Sequence, residues 1–498
     1  MVTPSGSAMP TFEPESGQFT ATVPDSTKQQ PSRWRLPEWF AVSQVAGPAL
    51  LYLPGSQVFR VPLRAGVFAF SLMGLVWCLR RSRIAKVHPS WILLVSAAVY
   101  MAVMILHPAT NTTMAGLAQV GMHFAVAAPL FWAPYYFLGD YKRLARVLTI
   151  LWVLNGASVL VGILQIRDPG TWMPAEFASV MQTYKQSIAM YQYRAGDGSM
   201  AIRPPGLGDY PGAASGAGMF VAVMGLAYLG LPVSLPRKLL GSLMGMAGAV
   251  VIFLSHVRSS LVVVVGCAVI YSIILLGQGR LRTALTLALL MAVCGFYSLL
   301  YAESLGGQST IDRFATLLED NPSKVYEKSA RLGMVIGAFD TYLVEHPLGA
   351  GLGRWGMMRT YFGSENNLDS PMMWSEVQFA SWVLDGGIVL LSLYLIALAV
   401  AVLRVVRLCL FHQSLKLRQW AAVIVMLSAG PIAFLFSYCP FYSQMGMQFW
   451  FLIGAFEGLA QSEQGRAVSG FEAEADIPLS YEFPDVPRSP RDIAGFGA

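Results

Sequence analysis

Residues 260–301, SLVVVVGCAVIYSIILLGQGRLRTALTLALLMAVCGFYSLLY, decide the fold. Two apolar runs, 260–277 and 282–301, flank a short turn that carries Arg280 and Arg282. Each run approaches the roughly 20 residues a helix needs to cross the hydrocarbon of a bilayer. Neither alternates apolar and polar side chains as a barrel strand would. The pattern recurs, and further spans are expected near 39–54, 58–79, 90–107, 115–138, 146–166, 212–231, 239–256, 379–403, 419–437 and 441–460. Composition agrees: 55% of the 498 residues are hydrophobic and 12% charged, against about 25% charged in soluble domains. The fold class expected is an all-α polytopic membrane protein with about twelve transmembrane helices.

The net charge of +6 is spread over short connections, which makes it a topology signal and not a nucleic-acid footprint. Arg80, Arg81, Arg83 and Lys86 follow the second expected span, Lys142, Arg143 and Arg146 the fourth, and Arg404, Arg407, Lys416 and Arg418 the tenth. These clusters, with Arg237, Lys238, Arg280 and Arg282, fall on one side when both termini are cytoplasmic. The other side carries two long loops, 167–211 and 302–378. The domain reading is a disordered N-terminus (1–36), a membrane domain (37–461) and a disordered acidic tail (462–498). No apolar run near the start reads as a cleavable signal. Cys78, Cys267, Cys294, Cys409 and Cys439 have no paired spacing, so no metal site or disulfide framework is expected, and no cofactor.

The polar interruption in the second half contains Ser329 to Gly356, SARLGMVIGAFDTYLVEHPLGAGLGRWG. Leu332, Val335, Ile336, Phe339, Tyr342 and Leu343 recur at helical spacing, which predicts a short amphipathic helix opened by Arg331 and stopped at His346-Pro347. Gly349, Gly351, Gly353 and Gly356 follow, with Arg354 among them. A cation at the helix start and a glycine-rich turn at its end suit a large anionic ligand. Gly351 to Gly356 formally matches GxGxxG, but no strand precedes it, and a dinucleotide site is rejected.

Arg203 precedes a Pro-Pro-Gly turn and Asp209-Tyr210; it either faces an anion at the membrane surface or binds lipid phosphate. Arg258, beside His256, stands between two spans with almost no loop, where an arginine is costly and a functional candidate by default. Snorkelling to headgroups is its alternative, and His256 reads as a polar turn residue. Arg313 has Asp312 and Glu319 as neighbours and reads first as a surface ion pair. Glu376 enters the tenth span and is a candidate general base, or a carboxylate favoured at a helix N-terminus. Asp385, inside that span, is either functional or a buried partner for an arginine. Several arginines and one carboxylate suit a reaction with a diphosphate leaving group.

Four places resemble the O-antigen ligase and O-antigen polymerase superfamily of bacterial inner-membrane glycosyltransferases. They are Arg203-Pro-Pro-Gly206, Ser255-His-Val-Arg258-Ser259, Arg331 with the His346 to Gly353 run, and the Glu376 to Gly387 entry into a late span. The resemblance implies an undecaprenyl-diphosphate-linked oligosaccharide as donor and metal-independent transfer, with inversion, to a hydroxyl of a glycan acceptor in the periplasm. It implies diphosphate-binding roles for Arg203, Arg258 and Arg331. Arg313, His346, Arg354, Tyr210 and His256 are the expected substrate-binding residues, and Glu376 the base. Many ligases carry His-Asn where this chain has Ser375-Glu376, which favours a polymerase of exopolysaccharide, capsule or O-antigen repeats. The alternatives are a ligase acting on lipid A-core or protein, a flippase of an anionic lipid-linked substrate, and an assembly subunit. Expected partners are membrane lipids, a flippase and a chain-length regulator, without nucleic acid.

Overall fold

The computed structural model describes residues 34–53, 55–81, 85–173, 192–194, 200–208, 210–319 and 330–475. The described residues from Leu36 onward form one compact unit. Helices α1 (Leu36–Ala49), α2 (Arg60–Arg80), α3 (Pro89–Met104), α4 (Thr113–Ala127), α5 (Pro129–Tyr136) and α6 (Tyr141–Arg167) make the first half. Then come the antiparallel hairpin β1 (Gln192–Arg194) and β2 (Met200–Ile202). Four long helices follow: α7 (Ala213–Gly230), α8 (Leu235–Leu254), α9 (Arg258–Gly277) and α10 (Leu281–Gly306). The second long connection holds α11 (Gln308–Glu319), α12 (Ala330–Gly337) and α13 (Gly356–Phe362). Helices α14 (Gln378–Phe411), α15 (Leu415–Ala433) and α16 (Gln444–Ala475) close the bundle.

Eleven of the twelve expected spans each overlap one α-helix, and the one at 115–138 takes in both α4 and α5. Among the described residues, nine helical segments are long and apolar enough to cross a membrane, and the chain is a multi-pass membrane protein. The departures have physical causes. Helix α1 has 14 residues, about 21 Å of rise, because Pro48 and the 3-10 turn Leu50–Tyr52 end it. Helix α3 has 16 residues. Helix α16 carries Gln444, Gln448 and Glu457, yet Trp450, Phe451, Phe456 and Leu459 are fully buried in the protein. The expected tail boundary at 461/462 is corrected: α16 runs on to Ala475. Helix α10 likewise reaches Gly306, so the second loop begins at Gly307 and not at 302. The reading of residues 1–33 and 476–498 as disordered lies outside the described residues.

Helix ends follow local chemistry. Thr112 and Asp140 accept backbone N–H bonds from Ala115 and Arg143 at the starts of α4 and α6, at 3.0 and 2.9 Å. Helices α7 and α8 touch backbone to backbone: a Cβ on Gly225 would lie 2.6 Å from the Gly241 carbonyl oxygen, and one on Gly218 2.7 Å from that of Gly248. Such close approach supplies dispersion contact where lipid gives no hydrophobic drive between helices.

One end of the bundle carries the basic clusters. There buried Glu38 meets Arg143 Nε and Arg146 Nη1, each at 3.3 Å, and Glu457 takes Arg404 as a two-pronged pair at 2.6 and 2.7 Å. The opposite end, called here the loop end, carries the long connections.

Helix α14 is broken at Gly386 and Gly387, whose backbone angles are non-helical. The break receives residues 347–350: Ile388 N donates to Pro347 O at 2.9 Å, and Ala350 N to Leu384 O at 2.7 Å. Gly387 has φ +57°, and a Cβ there would overlap the Pro347 carbonyl. Gly387→Ala should therefore cost about 3 kcal/mol from steric overlap and a strained φ. A fall of the unfolding midpoint in detergent checks this; an unchanged midpoint would mean the break is not filled by residues 347–350.

Candidate functional site

The glycine run is a structural insert. Gly349, Gly351 and Gly353 have φ of +110°, +93° and +69° and press against Gly386, Ala109 and Ala115. Leu352 N donates to Thr110 Oγ1 (3.1 Å), Gly353 N to Gln119 Oε1 (2.6 Å), and Asn111 N to Leu352 O (2.9 Å). Arg354 is 6% exposed and donates to Ala350 O at 2.7 Å and Pro371 O at 3.2 Å. The expectation that Arg354 and these glycines hold an anion is thus corrected: the guanidinium closes the loop on itself. Trp355 Nε1 donates to Asp385 Oδ1 at 2.8 Å, and His123 Nε2 lies 3.7 Å from Asp385 Oδ2. Asp385 therefore pairs with a tryptophan and a histidine, not with an arginine. Neither Trp355 nor His123 was singled out in the sequence, because no spacing links residues 123, 355 and 385.

The amphipathic helix stands where expected. It begins at Ala330, widens into a π turn over Ala338–Tyr342, and ends at Glu345 before His346. Phe339 meets Phe379 of α14 with ring centroids 6.2 Å apart. This docking brings Arg331 Nε to 4.0 Å from Glu376 Oε2, with both side chains nearly half exposed, at 43% and 46%. An exposed pair at that distance adds on the order of 0–1 kcal/mol to stability, so both groups remain open to a ligand. Glu376 is fixed by its neighbours: Ser375 Oγ donates to Val377 O (3.0 Å), Gln378 N to Tyr438 O (3.1 Å), and Phe441 N to Gln378 Oε1 (2.9 Å).

A second group forms around His256. Arg203 enters a turn locked on α6: Gly206 N donates to Gln165 Oε1 at 2.8 Å, and Leu207 N to Ser158 Oγ at 3.0 Å. Helix α11 folds back so that Phe314 packs edge-on against Phe253 at 4.9 Å, which carries Arg313 toward the α8–α9 turn. His256 occupies that turn with φ +55° and is 3% exposed. Among the described non-glycine residues it alone has a positive φ, a strained state common at functional sites. Burial, then the charges of Arg313 and Arg203, pulls its pKa from 6.5 to about 4. Arg313 therefore belongs to a basic cluster with Arg203 and His256, and Arg258 opens α9 two residues on. His346 lies elsewhere, close enough to His107 to help depress that residue's pKa after burial. Asp209 falls outside the described residues.

A cavity of about 910 Å³ occupies the bundle between α1, α2, α6, α7, α15 and α16. Tyr210 and Leu207, just beyond the Arg203 turn, line one side, and Tyr438, which holds Gln378, lines another. Arg60 and Arg64 of α2 also line it. Both fall inside the expected span 58–79 and were not among the sequence candidates. The chain matches no protein-family model and no curated protein.

The His256 shift has a defined sign. A histidine held below its ordinary pKa binds fewer protons folded than unfolded between pH 6.5 and 4, so it costs stability as pH falls through that window. The loss is on the order of 3 kcal/mol. Asn tolerates the positive φ and does not titrate. Unfolding of wild type should therefore shift to lower denaturant than His256→Asn as pH drops from 6.5 toward 4; parallel profiles would show that His256 is not buried beside the arginines.

Proposed function

We propose that this protein is a membrane glycosyltransferase that joins oligosaccharide units carried on a polyprenyl diphosphate, at the outer face of a bacterial inner membrane. The observation that carries the reading is the pairing of Arg331 with Glu376, both exposed, at 4.0 Å on the loop end. In the proposed reaction an acceptor hydroxyl loses its proton to Glu376. Its oxygen attacks the anomeric carbon of the donor from the face opposite the diphosphate. The bond from that carbon to the diphosphate oxygen breaks, and the lipid diphosphate leaves with the electron pair. Arg331, with Arg203 and Arg258, offsets the charge that develops on the leaving group. Tyr210 and Arg313 would face the glycan and diphosphate, with buried His256 beside Arg313. Twelve crossings with both termini cytoplasmic, and membership of the ligase and polymerase superfamily, belong to the same proposal.

Polymerase is favoured over ligase because the acidic Glu376 stands where many ligases have His-Asn. The flippase reading draws on the cavity, which reaches residues midway along several spans. A transporter site is expected to place its ligand-binding groups near the midplane. Here Arg60 and Arg64 lie in the first turns of α2, at the loop end.

Two substitutions test the chemistry in purified protein given a lipid-linked donor. Glu376→Gln should lower turnover at least about 100-fold, the scale of general-base catalysis, with donor binding retained. Arg331→Lys should be severely impaired, because an ammonium cannot grip phosphate with two parallel bonds. Normal turnover in Glu376→Gln would remove it as base, and normal turnover in Arg331→Lys would remove that residue from the site.

A further inference from the structure

Apart from Tyr210, the cavity has a graded lining that the transfer chemistry does not use. At the loop end it presents Arg60 and Arg64, four residues apart on α2 and so on one helix face. Arg64 Nη1 donates to Tyr361 Oη of α13 at 3.1 Å, which fixes its guanidinium at the rim. Deeper, the walls include Phe68, Val223, Cys267 and Leu452. These lie eight to ten residues inside their helices, about 12–15 Å below the rim and near the middle of a hydrocarbon core. Paired guanidinium groups match a phosphate, and a largely apolar shaft beneath them, interrupted by Asn155 and Ser158 of α6, matches hydrocarbon.

We infer that this cavity binds an isoprenoid chain by its phosphate end, with the phosphate on Arg60 and Arg64 and the chain running down toward Cys267 and Leu452. The inference rests on the transferase reading for its meaning: the occupant is the lipid of the acceptor. A polymerase needs two lipid-linked glycans at once, whereas a ligase needs one. The Arg203 turn and the Tyr438 segment border the same cavity, so an acceptor glycan rising from it would emerge between the two groups of candidate residues.

The experiment uses full-length protein in detergent and a polyprenyl phosphate bearing a diazirine near its phosphate, with cross-linked peptides identified by mass spectrometry. Adducts are expected on α2 and α16. Arg60→Gln combined with Arg64→Gln should reduce them at least tenfold. Gly216→Leu should do the same by filling the cavity. A Cβ at Gly216 meets nothing nearer than Tyr210 Oη at 4.0 Å, and leucine favours a helix over glycine, so this variant should fold. Excess phosphatidylglycerol should not displace the probe. Adducts confined to other helices, adducts indifferent to both variants, or displacement by phosphatidylglycerol would each overturn the inference, the last by making the cavity an ordinary phospholipid site. Arg331→Lys and Glu376→Gln should leave the adducts in place, so a failure of the transfer chemistry is told apart from a failure of this site.

Discussion

In hydrocarbon every backbone N–H and C=O needs a partner inside the protein, and the insertion of residues 346–356 into the break of α14 is where this structure meets that demand without a helix. Gly386 and Gly387 leave the helical path, and Pro347 O and Leu384 O then pair with the amides of Ile388 and Ala350. Thr110 and Gln119 take the next amides of the insert. Irregular chain is tolerated at that depth because protein surrounds it. Asp385 and His123, both buried, cap the arrangement through Trp355. Removing one partner of such a buried polar set leaves the other uncompensated, which commonly costs 3–5 kcal/mol.

That fixed insert is the base on which the exposed residues stand. The chain entering it is the amphipathic helix from Arg331, and the chain leaving it returns through Pro371 to Glu376 at the head of α14. Asn111, 4% exposed, steadies the returning segment: its Oδ1 accepts from Ser364 N at 2.6 Å and its Nδ2 donates to Ser364 O at 3.1 Å. Arg331 and Glu376 therefore meet as the two ends of one anchored loop. The basic end of the bundle is held differently, by ion pairs of Arg143, Arg146 and Arg404 with buried carboxylates. Part of the charge that reads as a topology signal is thus also structural.

The helices were legible because hydrophobic run length is a one-dimensional property. The amphipathic helix was legible from its period and from the His346-Pro347 stop. Arg331 and Glu376 were legible as types of residue in a polar interruption, though not as neighbours 45 positions apart in the chain. The glycine run misled because the same residues serve an anion cradle and a close backbone approach; the contacts of Gly387 and Gly349 decide between them. His256 was undervalued because a strained φ leaves no trace in composition. Arg60 and Arg64 were not legible because a charge in the first turns of a span looks alike whether it faces headgroups or a cavity. The boundaries of α1 and α16 slipped for a related reason: a helix packed against protein need not meet the length or apolarity that lipid demands.

The central claim, that this protein lengthens lipid-linked glycans, is tested most directly by extracting lipid-linked intermediates from a deletion strain alongside its polysaccharide. The account predicts single repeat units accumulating on the carrier lipid, accessible from the outer face, with long chains gone. Long chains persisting on the carrier but missing from their final acceptor would make the protein a ligase, and intermediates trapped on the cytoplasmic leaflet would contradict glycosyl transfer altogether.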